Sequence, residues 1–158
     1  MLSETLERQG LGAQAAEVRA QLMATGARED PRTYALYLAT TGQQLEAAER
    51  LARDELAQRA DVFSYETLAW VQLARGEVEA ALFNARHSLV EGSADPRLYY
   101  HAGMIARRAG EAELARGWLE RARSGADMLL PSQREALAGE NERRESPSSR
   151  TQPQERQR

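Results

Sequence analysis

Few side chains in this sequence are of a type that makes or breaks bonds. There is no cysteine, which excludes a disulfide framework and any thiolate metal site. His87 and His101 are the two imidazoles, too few for a histidine-based zinc centre unless carboxylates complete it. Ser88 adjoins His87, the pairing that a hydroxyl nucleophile and its base would need. Adjacent residues on a helix point about 100° apart and do not face each other, so His87 is expected to face solvent instead. Glu77 and Glu79 flank a turn, where a helix start favours negative charge. The glycines are spread along the chain rather than gathered into a loop that would cradle phosphate. No catalytic residue, metal ligand or cofactor is expected, and the chain reads as non-enzymatic. What remains is recognition chemistry: aromatic rings, methionine and arginine, side chains that anchor protein partners.

The elements that must position those side chains are written in a repeating pattern. Tyr65, Leu68, Ala69, Gly76 and Ala81 recur as Tyr99, Ala102, Gly103, Gly110 and Ala115. The two glycines are 34 residues apart, and a further step of that length lands on Gly42, with Ala35 before it and Ala47 after it. A fixed period of this size marks tandem structural units. Seven residues before each glycine stand Ala35, Ala69 and Gly103, and five after stand Ala47, Ala81 and Ala115. Small residues on both arms of a helical hairpin let the two backbones approach closely. Mostly apolar fillers stand eight before (Tyr34, Leu68, Ala102) and nine after (Leu51, Ala85, Leu119). The glycine supplies the positive φ that ends the first helix. Asp30 and Asp95 each precede a proline, an N-cap acid followed by proline at the first helical position, and Asp61 takes the same capping role. Helices are predicted near 31–41, 44–57, 61–75, 78–90, 95–109 and 111–124, joined by short turns.

These residues resemble the tetratricopeptide repeat, whose pattern has an aromatic, Leu-Gly or Leu-Ala, a turn glycine and then alanine at matching distances. The resemblance covers roughly residues 31–123 and implies an all-α fold, an α-solenoid of antiparallel helix pairs wound into a superhelix. Its three units would span 28–61, 62–95 and 96–125. Pro31 in place of the early aromatic, Gln72 at a usual core position and Pro96 three residues late depart from the family pattern. Residues 1–27 read as degenerate N-terminal capping helices and 126–139 as a C-terminal capping helix, with a short helix over 131–138 turning Leu137 inward. Residues 140–158 carry no aliphatic or aromatic side chain and are expected to be disordered.

Apolar residues make up 42% of the chain but include only two Trp, five Tyr and two Phe. The core must therefore be built mostly from Ala and Leu, which suits closely packed short helices. The net charge is −3 with the signs interleaved, which argues against a nucleic-acid partner. All 21 basic residues are arginine; RNA binding by Arg97, Arg107, Arg108 and Tyr100 is the weaker alternative. No apolar run is long enough to span a membrane, and Met1-Leu2-Ser3-Glu4 has neither the basic nor the apolar region of an export signal. A cytoplasmic address is expected, unless the chain is a piece of a longer one.

In the resembled family the first helix of each pair lines a concave face. The positions that would project into it include Arg32 and Leu36 in the first unit, Phe63, Glu66 and Trp70 in the second, and Arg97, Tyr100, Met104, Arg107 and Arg108 in the third. They are expected to form an apolar, aromatic floor beside an arginine edge, a groove for a protein or peptide partner. On that reading Trp70→Ala or Tyr100→Ala loses the partner while helix content is kept. Some family members clamp a peptide carboxylate; the matching positions here are Arg32, Leu36, Thr67, Arg97 and His101, without the required asparagines. Trp118 is expected to pack on the C-terminal helix. Self-assembly into a homo-oligomer is the alternative role.

Overall fold

The computed structural model describes residues 2–145, with side chains as far as Gly139. Among the described residues all regular structure is helical. The helices are α1 Leu2–Arg8, α2 Gly12–Glu29, α3 Pro31–Thr41, α4 Leu45–Arg59, α5 Val62–Arg75, α6 Val78–His87, α7 Pro96–Arg108, α8 Ala112–Arg123 and α9 Pro131–Glu145, with a 3-10 turn at Ala126–Met128 before α9. Every helix from α1 to α8 packs against the next, and α3 also touches α5, as α5 touches α7.

The helix starts follow from the caps. The carboxylate of Asp30 accepts from the Thr33 N–H, that of Asp61 from Ser64, and that of Asp95 from Arg97. Each satisfies a donor that the helix itself cannot. Three turns use the glycines as expected, Gly42, Gly76 and Gly110 having φ of 67°, 83° and 79°. The first of these turns is one residue longer than the spacing implied. Helix α4 begins three residues after Gly42, whereas α6 and α8 begin two after theirs. The extra residue, Gln44, is itself left-handed at φ 45°. It shifts the register of α4 by one, so Ala48 and Ala52 are fully buried and Ala47 is not.

Three apolar clusters form the core. Tyr34, Ala35, Leu38, Ala48, Ala52, Leu68 and Val71 join α3, α4 and α5. Ala69, Ala81, Ala85, Ala102 and Ile105 join α5, α6 and α7. Tyr99, Tyr100, Leu119, Ala122, Leu129 and Leu137 tie α7 and α8 to the C-terminal segment, with Trp118 packed against them as expected. Gln72 is buried among these helices and takes a hydrogen bond of 2.7 Å from Asn84 Nδ2, which removes the cost of an unpaired amide. Ala81 and Ala115 are almost fully buried. Replacing either with Leu should overpack a helix pair and cost about 1–3 kcal/mol, read as a lower midpoint in urea; unchanged melting of both variants would contradict this packing.

Helices α2 and α9 both pass through a glycine near their C-terminal part. Helix α2 continues through Gly26, which is buried because a Cβ there would lie 3.1 Å from Tyr34. Glycine serves close approach at that point, not a stop. Helix α9 passes Gly139 and continues to Glu145, which corrects the expected start of disorder at 140. One glycine costs a helix only about 1 kcal/mol, and the Glu and Arg residues that follow are good helix formers. The rest of the expected disordered tail, 146–158, lies outside the described residues.

Candidate protein-interaction site

The proposed floor residues do converge, but around His101, which the spacing had placed among the clamp positions and not in the floor. His101, on α7, is buried between α5 and α9. Its ring stacks on the indole of Trp70 at 4.2 Å and 25°. Trp70 is held from the other side by its Nε1–H, which donates to Thr40 Oγ of α3 at 3.1 Å. Tyr100 leans against both rings, and Met104 packs in the same apolar cluster. Glu66, one turn before Trp70 on α5, places Oε1 2.5 Å from His101 Nδ1. On the far side, the Gln133 amide nitrogen of α9 lies 3.2 Å from His101 Nε2.

The protons in this chain are fixed by a backbone group. The Leu130 N–H, which can only donate, points at Gln133 Oε1 at 3.0 Å. The Gln133 amide must therefore present its NH₂ to His101, whose Nε2 accepts. His101 is then the neutral tautomer with its proton on Nδ1, donated to the Glu66 carboxylate. Gln133 also acts as half of a capping box, its side chain reaching back from the third helical position of α9.

Helix α9 lies against α7 through this amide and through Leu137, and Leu129, in the extended stretch before the helix, joins the same cluster with Tyr99 and Tyr100. Its other edge meets α1. The Ser132 N–H donates to Glu4 Oε1 at 2.7 Å, and Arg8 pairs with Glu135 at 2.7 Å. The second of these is solvent-exposed and worth little. Between α8 and α9 an open hollow of about 210 Å³ is lined by Arg123, Ala126, Arg134, Leu137 and Ala138. The Nε and Nη2 atoms of Arg123 are buried with no hydrogen-bond partner among the described residues.

This arrangement changes the expected groove. Leu36, Glu66 and Tyr100 are buried, with 7%, 5% and 6% of their surface exposed, and so form no open floor. Phe63, Trp70 and Met104 are half-buried. Phe63 lies under the Arg32 guanidinium at 5.3 Å, a cation–π pair. Arg97, Arg107 and Arg108 remain at the surface. Arg97 grips Asp95 through Nε and Nη2, and this bonding holds the Asp95 carboxyl below the usual carboxylate range. Thr67 is spent on the Phe63 carbonyl and His101 on Glu66, so the matching clamp positions do not meet at a carboxylate. Tyr100→Ala is therefore a core substitution and not a clean test of a groove.

The spacing of the repeat gave no sign of Gln133 or His101 as partners, since they meet across separate elements. The available signal was weak: a glutamine three residues after a helix start. The other histidine is half-buried rather than solvent-facing. His87 stacks against Tyr65 and Phe83, and its Nδ1 lies 2.9 Å from the Phe83 carbonyl. Ser88 donates to the Ala85 carbonyl. No group of three or more His, Asp or Glu among the described residues is placed to hold a metal ion, and no described helix is long and apolar enough to cross a membrane. No protein-family model, curated protein or solved structure matches this chain.

Proposed function

We propose that this chain is a short α-solenoid of tetratricopeptide-like helix pairs and a non-enzymatic protein-interaction module that receives one helix of a partner protein. The receiving seat is the face of α7, bordered by Trp70 of α5, against which α9 lies. A partner would carry what this segment carries there: a carboxamide in the first turn of the helix, an apolar side chain four residues after it, and a second apolar side chain in the extended stretch just before the helix. The observation that carries the reading is the seating of α9 itself. A helix with one buried amide and one buried leucine, preceded by the buried Leu129, fits this face, yet its packing on α8 is incomplete. An open hollow leaves fewer contacts to lose, and guanidinium nitrogens already without a partner among the described residues would regain water on release; both lower the free energy needed to remove it.

The test uses the full chain at pH 7.5 and a fluorescein-labelled peptide of residues 126–145. In the chain, Leu137→Asp should loosen the resident α9 and raise affinity for the peptide at least about tenfold over wild type, because the resident helix no longer competes. The same substitution placed in the peptide should abolish binding. Absence of saturable binding to both chains would overturn the proposal.

A further inference from the structure

We infer that His101 makes the seating of α9 proton-dependent: the seat holds the helix only while the imidazole is neutral, and uptake of a proton at Nε2 releases it. The reason is donor bookkeeping. With Leu130 N–H on Gln133 Oε1 and Gln133 NH₂ on His101 Nε2, a proton on Nε2 sets two donors against each other. Turning the amide over only moves the conflict to Leu130, whose N–H cannot accept. The imidazolium itself is well received. Glu66 on α5 already holds Nδ1, and the Asp95 carboxylate at the start of α7 interacts with His101 electrostatically.

Among the described residues the other charged groups facing the seat are Arg97, Glu4, Glu66 and Asp95. Arg97 stays positive and keeps to Asp95. Glu4 of α1 faces the Ser132 N–H, Glu66 of α5 faces Nδ1, and bonding to Arg97 holds the Asp95 carboxyl below the usual carboxylate range. From α9 itself His101 meets an amide, and from α5 and α7 the uncharged rings of Trp70 and Tyr100. A proton added at Nε2 would therefore meet no acceptor on α9. Release of α9 would uncover the face proposed above for a partner helix. That consequence rests on the proposed function, but the proton dependence of α9 does not.

The experiment follows the backbone amides of α9 and the His101 ring nitrogens by NMR from pH 8 to 5.5, with no partner or peptide present. In wild type the ratio of seated to released α9 should fall about tenfold or more on acidification, the scale expected when a buried donor loses its acceptor. His101→Gln should flatten the response while retaining His87. Gln133→Glu should reverse it: a carboxylate still accepts from Leu130, but it repels the Nε2 lone pair of neutral His101 and pairs with the imidazolium. A flat wild-type response, a response kept in His101→Gln, or the same sign in Gln133→Glu would each overturn the inference. Because Gln133→Glu leaves α5 and α7 untouched, the test survives any folding defect in the His101 variant. Peptide binding at constant pH reports separately on the proposed function, so the two can fail independently.

Discussion

Trp70→Ala should cost the fold about 2–4 kcal/mol, a large fraction of the roughly 5–15 kcal/mol that holds a domain folded, and should loosen the core on both sides of α5. Among the described residues the indole is the one side chain packed against all three apolar clusters. It stacks on His101 and bonds to Thr40 of α3. Its removal takes away a large apolar body and leaves a gap that three rigid helices cannot all collapse into. The range lies below that for a fully buried tryptophan because Trp70 is only half-buried. Trp70→Phe should recover most of the loss, since Thr40 is exposed and water can replace the indole N–H. Urea unfolding read by circular dichroism checks both; a Trp70→Ala midpoint equal to wild type would mean that the clusters do not depend on one another. The expectation that this substitution silences a binding face and spares the fold is accordingly replaced.

A second large effect lies where α7 crosses α8. A Cβ on Gly103 would sit 2.6 Å from Leu119 Cγ and Cδ2 and 3.2 Å from the Leu119 backbone nitrogen. Gly103→Ala should therefore cost about 1–3 kcal/mol by overpacking. Leu119→Ala, at a side chain 1% exposed, should cost about 2–5 kcal/mol by opening a cavity. Made together, the substitutions should cost less than their sum by about 1 kcal/mol or more, because the added methyl occupies space the leucine gave up. Strictly additive losses would show that the two sites do not meet. The preceding hairpin solves the same crossing with Ala69 and Ala85, a medium pair in place of a small and a large one.

The helices, their caps and their turns were legible because each depends on neighbours along the chain. Asp61 needs only Ser64, and Gly76 only its own φ. Even the misplaced register of α4 has a local cause, the additional left-handed Gln44, which a fixed count of residues from Gly42 could not reveal. The candidate site was legible in part. Trp70, Tyr100 and Met104 do come together, as the shared helix face required, but spacing alone could not distinguish a face turned to solvent from one covered by the chain's own later helix.

By itself, then, the sequence determined an all-helical chain with hairpins closed at Gly42, Gly76 and Gly110 and small residues where helices cross. Capping, glycine dihedrals and the 3.6-residue period act within a few residues, so they leave a record in the order of amino acids. Only the tertiary structure decided that α9 lies on α7 and reaches α1. The bonds that do this join Gln133 to His101 across 32 residues and Arg8 to Glu135 across 127. Contacts so distant follow from how the helices are arranged in space, and no periodicity in the chain encodes which amide will meet which imidazole.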